Sequence, residues 1–172
     1  GISSVTIEYE GHAAEINTRP VTACLLEGLL SPLMSGVNMI NAPILARDRD
    51  IDVSEVRHER DSEYQTLIRL TVATENRSRT LAGTLFGGDK PRIIEINGIA
   101  LEAELGENML YIINKERPGF IGRLGTALGD AKVNIATFQL GRVEEGSDAL
   151  ALIQVDGILS DDVLAQLRTL PD

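Results

Sequence analysis

The chain has 172 residues, a formal net charge of -10, 24% charged and 43% hydrophobic residues, and a single cysteine. That acidic balance excludes a surface working through a positive field, as nucleic acid or an anionic membrane requires. One cysteine allows neither an internal disulfide nor a thiolate zinc site and points to a reducing, cytoplasmic setting. No apolar run approaches the ~20 residues that span a bilayer, and the opening residues do not read as a signal peptide.

The first strand is written in alternation, with Val5, Ile7 and Tyr9 on one face and Thr6, Glu8 and Glu10 on the other; Gly11 ends it. Thr18 is placed to cap a helix with Pro20 in its first turn, and Val21, Leu25, Leu29 and Leu30 recur at helical spacing before Ser31-Pro32 breaks the run. Cys24 falls on the apolar side of that helix, where a free thiol packs as a small hydrophobe. A second helical stretch over 37–47 contains Pro43, which predicts a bend or two short helices.

From 51 to 105 the period becomes two, and 51–60, 64–74, 79–86 and 92–105 read as strands. Gly83, Gly87-Gly88 and Asn97-Gly98 mark turns or bulges, with Asn97-Gly98 the stronger hairpin signal. Helices collected before antiparallel strands indicate an α+β layer. The polar Gly106-Glu107-Asn108 is the expected boundary between a domain at 1–105 and one at 106–172.

Beyond it, 109–115 reads as a short buried strand, 118–131 as a helix with Leu124 and Leu128 at i, i+4, 133–142 as a strand, 144–147 as a turn and 149–155 as a strand. Ser160 caps a last helix whose Asp161 and Asp162 suit the positive end of the helix dipole. The order β-α-β-β-α is the ferredoxin-like βαββαβ pattern without its last strand. Leu170-Pro171-Asp172 stands where the fourth strand is expected, which suggests a piece of a longer protein.

Catalytic chemistry is hard to find. His12 and His58 have no Cys, Ser or His at metal or nucleophile spacing, and they read as surface or hydrogen-bonded structural residues. Glu55/Glu59 and Glu144/Glu145 are nominal acid/base pairs whose simpler reading is solvation. Neither a Walker loop nor a Gly-x-Gly-x-x-Gly is present. No catalytic residue, metal site or cofactor site is assigned.

One segment carries more information. Glu116-Arg117-Pro118-Gly119 joins a strand to a helix in which Gly122, Gly125 and Gly129 share a face. Each helical glycine costs about 1 kcal/mol relative to Ala, so a close neighbour is expected there: the sheet, another helix or another chain. Pro118-Gly119 at the helix start leaves backbone N–H groups accessible to a carboxylate or phosphate. Tight helix-on-sheet contact explains the glycines as well as a ligand does, and accounts less well for the polar Asn114, Glu116 and Asn134 nearby, which together suit an ammonium and a carboxylate.

Residues 109–155, with Glu116-Arg117-Pro118-Gly119-Phe120-Ile121-Gly122 and Val133-Asn134-Ile135-Ala136, resemble an ACT domain, a module that binds amino acids at dimer interfaces. Upstream, Arg19-Pro20-Val21-Thr22-Ala23, Gly28-Leu29-Leu30-Ser31-Pro32, Val37-Asn38-Met39-Ile40-Asn41-Ala42-Pro43 and Gly83-Thr84-Leu85-Phe86-Gly87-Gly88 resemble the allosteric substrate-binding domain that precedes it in long-form D-3-phosphoglycerate dehydrogenases.

The resemblance implies an α/β allosteric substrate-binding domain with a mostly antiparallel sheet, then the ACT domain. It implies a non-catalytic regulatory region of an enzyme that oxidises 3-phosphoglycerate with NAD at the start of L-serine biosynthesis. NAD would belong to the parent enzyme and no cofactor to this region. The implied partners are L-serine or a related amino acid at Asn114, Glu116, Pro118, Gly119 and Asn134, a phosphate-bearing small molecule at Arg92 and Lys90, and further copies of the chain. Glu116 replaces the usual Asp or Asn, and Glu104 and Gln154 stand where some relatives place arginines. Two alternatives are the regulatory domains of an L-serine dehydratase, whose Ser-Ser-Ser-His-Thr-type segment is missing near the start, and a plain oligomerisation module with vestigial sites.

Overall fold

A computed structural model describes residues 1–60 and 63–171; Asp172, the last residue of the expected second domain, lies outside them. The chain forms two compact units, Gly1–Pro91 and Arg92–Asp172. The connection at 106–108 lies inside the second unit.

In the first unit, β1 (Ile2–Gly11) is followed by a single turn α1 (His12–Glu15), α2 (Arg19–Leu30), α3 (Ala42–Asp48), β2 (Asp52–His58), β3 (Thr66–Thr74) and β4 (Ser78–Phe86), with strand order β2-β1-β3-β4. β2 runs parallel to β1, whereas β3 and β4 run antiparallel to their neighbours. The predicted alternation holds: Val5, Ile7 and Tyr9 are completely buried and meet Leu26 and Leu30 of α2 and Ala42 and Ala46 of α3. Gly11 takes φ 64°, and a Cβ there would lie 2.2 Å from the Gln65 carbonyl oxygen, so only glycine closes the strand against β3.

Several expectations fail here, most of them because a polar side chain finds another partner. Thr18 does not cap α2, because its hydroxyl donates to Glu55 Oε2 at 2.8 Å and accepts from Arg57 Nη2 at 2.9 Å. The buried face of α2 is Thr22, Ala23, Leu26 and Leu30, one residue out of phase with the apolar stripe. Thr22 is drawn inward by the buried Tyr9 hydroxyl at 2.8 Å and by Glu55, and the rotation turns Cys24 to solvent. Burial raises the Tyr9 pKa, the Thr22 bond opposes that, and the Glu55 charge adds to the rise.

Residues 37–41 form a turn rather than helix: Asn38 Oδ1 accepts from the Ile40 and Asn41 amides at 2.9 and 3.1 Å, and Asn41 Oδ1 accepts from the Asn38 amide at 2.8 Å. Only α3 follows, with Pro43 in its first turn, where a missing N–H costs nothing. Gly83 sits within the regular β3–β4 register and marks neither a turn nor a bulge.

The second unit holds the β5 (Lys90–Ile96) and β6 (Ile99–Glu104) hairpin, apart from the first residues of β5, then β7 (Met109–Lys115), α4 (Phe120–Asp130), β8 (Ile135–Arg142), β9 (Asp148–Val155) and α5 (Asp161–Arg168). Asn97 and Gly98 take φ of 49° and 81°, the two positive values that a tight hairpin turn demands. The last three strands form an antiparallel sheet in the order β7-β9-β8, with α4 and α5 in the ferredoxin-like positions.

Central β9 explains its own apolar run, because both faces are covered. Ala151, Ile153 and Val155 meet Phe120, Leu124 and Leu128 of α4, while Leu150 and Leu152 meet Ile93, Ile96 and Leu101 of the hairpin. β7 is half-exposed rather than buried, since it lies at a sheet edge with Tyr111 and Ile113 reaching solvent. Ser160 caps α5 as predicted, accepting from the Val163 amide at 3.4 Å.

Candidate functional site

At the end of β7 the chain turns through 116–119 into α4, and a cavity of about 410 Å³ opens there. Gly119 is the N-cap of α4 with φ 93°, a left-handed conformation available to glycine. Among the described residues no side chain caps the helix, and its first three amides have one weak partner, Phe120 N–H to the Arg117 carbonyl at 3.4 Å, before Arg123 N–H reaches the Gly119 carbonyl at 3.0 Å. An uncapped helix N-terminus carries partial positive charge and favours an anionic group.

Asn114 and Glu116 line the same cavity. Asn114 is buried, and its Nδ2 donates to the Lys115 carbonyl at 2.7 Å, which fixes the amide orientation. Its Oδ1 then has no hydrogen-bond partner among the described residues. Leaving a buried acceptor unpaired costs about 1–3 kcal/mol. A donor arriving in the cavity, such as an ammonium, would recover that cost.

Glu116 is committed otherwise. Its Oε1 accepts from Arg142 Nη1 and its Oε2 from the Gly146 amide at 2.9 Å, while its own amide donates to the Ser147 carbonyl at 3.1 Å. The Gly146 hydrogen bond lowers the Glu116 pKa; partial burial opposes this, and Arg142 adds to the lowering. The carboxylate therefore latches the β8–β9 turn to the β7–α4 turn. Arg142 and Gly146 escaped the sequence reading because they lie 26 and 30 residues beyond Glu116. The one available signal was the turn expected at 144–147, with Gly146 in it and Arg142 two residues ahead.

The structure thus brings Asn114, Glu116, Pro118 and Gly119 to one cavity and leaves Asn134 out of it. Asn134 precedes β8, and its Nδ2 donates to Asp156 Oδ2 at 2.8 Å. Eight residues separate it from Arg142 along an extended strand, roughly 26 Å at 3.3 Å per residue. Among the described residues the Gly122, Gly125 and Gly129 face meets neither sheet nor helix: a Cβ at any of the three would find nothing within 4 Å.

Arg92 and Lys90 stand two residues apart on β5. Arg92 Nη2 donates to Glu104 Oε1 at 2.8 Å across the hairpin, so a carboxylate already occupies part of the expected anion position. The histidines are both paired, His58 with Glu8 at 2.8 Å and His12 with Glu15 at 3.4 Å. Glu55 serves the Thr18 and Thr22 hydroxyls. Among the described residues no group of three or more His, Cys, Asp or Glu could hold a metal ion, and no helix is long and apolar enough to cross a membrane.

Comparison with known proteins agrees with this architecture. Residues 1–97 match the D-3-phosphoglycerate dehydrogenase intervening domain, and residues 108–172 match the ACT domain. The chain is 36% identical over 172 residues to the D-3-phosphoglycerate dehydrogenase of Bacillus subtilis, covering 99% of this chain and 33% of that protein. It is 33% identical over 173 residues to the Methanocaldococcus jannaschii enzyme, covering 99% and 32% respectively. To the Synechocystis enzyme it is 30% identical over 168 residues, covering 96% and 30%. The chain spans about a third of the length of these curated relatives. It belongs to the D-3-phosphoglycerate dehydrogenase intervening-domain family, with an ACT domain following.

Proposed function

We propose that the chain is the non-catalytic regulatory region of an NAD-dependent D-3-phosphoglycerate dehydrogenase, with its two domains meeting at 105/106, and that its ACT domain senses L-serine between two copies. The observation that carries the reading is the unpaired, buried Asn114 Oδ1 beside the uncapped start of α4. Together they offer an acceptor for an ammonium and donors for a carboxylate, the two groups every free amino acid carries.

Asn134 enters through the second copy. β8 is an edge strand of the order β7-β9-β8. If it pairs antiparallel with β8 of another chain about a two-fold axis, the start of one strand comes beside the end of the other. The second copy's Asn134 then lies near Arg142 and the cavity, a position it cannot reach within one chain. A ligand shared by two chains tightens their association by linkage. Sedimentation with and without L-serine should show a dimer that tightens with ligand, and Asn134→Ala should abolish the tightening. A monomer indifferent to serine at high concentration would reject the reading.

A phosphate-bearing effector is assigned to Arg92 and Lys90, where it competes with Glu104. The chain has no glycine-rich dinucleotide loop, so NAD belongs on this reading to the remainder of the enzyme. The reading as a plain oligomerisation module has one observation in its favour, the open glycine face of α4. Calorimetric titration with L-serine, phosphohydroxypyruvate and inorganic phosphate separates the readings, since an oligomerisation module binds none of them.

A further inference from the structure

We infer that Arg142 is a specificity-determining residue of the amino-acid cavity, and that its pairing with Glu116 restricts the cavity to amino acids with uncharged side chains. The inference rests on the amino-acid reading of that cavity and adds a residue which no family motif quoted above contains.

Four charged side chains line the cavity: Glu116, Arg117, Arg142 and Glu145. They sum to zero, and Glu116 and Arg142 form an ion pair with side chains 26% and 47% exposed. Arg142 is thus neutralised before a ligand arrives, and the carboxylate that neutralises it is held in turn by the Gly146 amide at 2.9 Å. Arg117 and Glu145 are exposed and opposite in sign, Asn114 supplies an uncharged acceptor and α4 supplies uncharged donors, so with Arg142 and Glu116 paired the groups left for a ligand carry no net charge and match a zwitterion. An acidic side chain would meet Glu116 as a like charge. A basic one would meet Arg142.

Guanidinium binds carboxylate through two parallel hydrogen bonds, and a ligand carboxylate can replace Glu116 only if Glu116 gives Arg142 up. A cavity of about 410 Å³ has room for aspartate as well as serine, so charge rather than volume makes the selection.

The test is calorimetry of the unaltered chain, Glu116→Gln, Arg142→Gln and the double variant, each with L-serine, L-aspartate and L-lysine. Glu116→Gln frees Arg142 and should raise the aspartate-to-serine affinity ratio by about tenfold or more, the scale of one charge-assisted hydrogen bond. The double variant should lose that gain, which a merely structural role for Arg142 would not produce. Arg142→Gln leaves the Glu116 carboxylate without its cation and should shift the preference toward lysine, so the idea stays testable if Glu116→Gln fails to fold. Serine binding with unchanged ratios in both single variants would overturn the role of Arg142 alone. An unaltered chain that binds none of the three amino acids would overturn the cavity reading, and this inference with it.

Discussion

Gly141 in β8 decides how closely the β5–β6 hairpin approaches the strand that carries Arg142. A Cβ built at Gly141 lies 2.7 Å from Ile99 Cγ2 and 2.8 Å from the Ala100 carbonyl oxygen. The second neighbour is backbone and cannot swing aside, so Gly141→Ala has to push β6 away from β8. Overpacking of this kind costs about 1–3 kcal/mol. Gly141 does not have a positive φ, so alanine also gains about 0.4–1 kcal/mol from a less flexible unfolded chain. The net expectation is a loss of about 1–2 kcal/mol. Gly122→Ala is the matched control: the same atom is added, but it meets nothing within 4 Å. It should therefore stabilise by about 0.5–1 kcal/mol through helix propensity. In urea, with slopes of about 1–3 kcal/mol per molar, the two midpoints should move in opposite directions by a few tenths of a molar or more. A Gly141→Ala chain as stable as the unaltered one would refute the close approach. A Gly122→Ala chain that loses stability or dimer would show the glycine face to be covered by another copy.

Three further outcomes follow from the geometry. The Glu116 carboxyl titrates below its unfolded value, so its contribution to stability is present above that unfolded pKa and is lost as pH falls through the folded one. Acid titration of the unaltered chain should show this loss below the ordinary carboxylate range, and Glu116→Gln should flatten it; identical profiles would remove the latch. Arg92→Ala should weaken phosphohydroxypyruvate binding by about 1–3 kcal/mol, read by calorimetry, and an unchanged affinity would reject the anion site. The purified chain should leave NADH fluorescence unchanged on titration, whereas a saturable enhancement would contradict the regulatory assignment.

What could be read in the sequence was whatever depends on neighbours along the chain. The alternation of Val5, Ile7 and Tyr9, the Asn97-Gly98 turn and the Ser160 cap all stand in the structure because each is settled within a few residues. The failures around α2 share one cause, a polar partner from a distant strand, whereas the one at 37–41 is made within a single turn. Thr18 looked like a cap until Glu55 and Arg57, 37 and 39 residues away, claimed its hydroxyl. The same glutamate, with the Tyr9 hydroxyl, turns α2 until Thr22 points inward and Cys24 outward. Asn38 and Asn41 took the place of a helical turn by bonding each other's backbone, a competition that asparagine wins more easily than apolar residues do.

The candidate site divides along the same line. Asn114, Glu116, Pro118 and Gly119 are close in sequence and were found together; Arg142 and Gly146 reach them only through the β7-β9-β8 order, which places the β8–β9 turn beside the start of α4. Asn134 stands just before β8, at the opposite end of the strand from Arg142. A site that uses both residues is therefore one that a single chain cannot complete. On the proposed reading, sensing and association are one event: an amino acid that satisfies Asn114 on one copy draws Asn134 from the next.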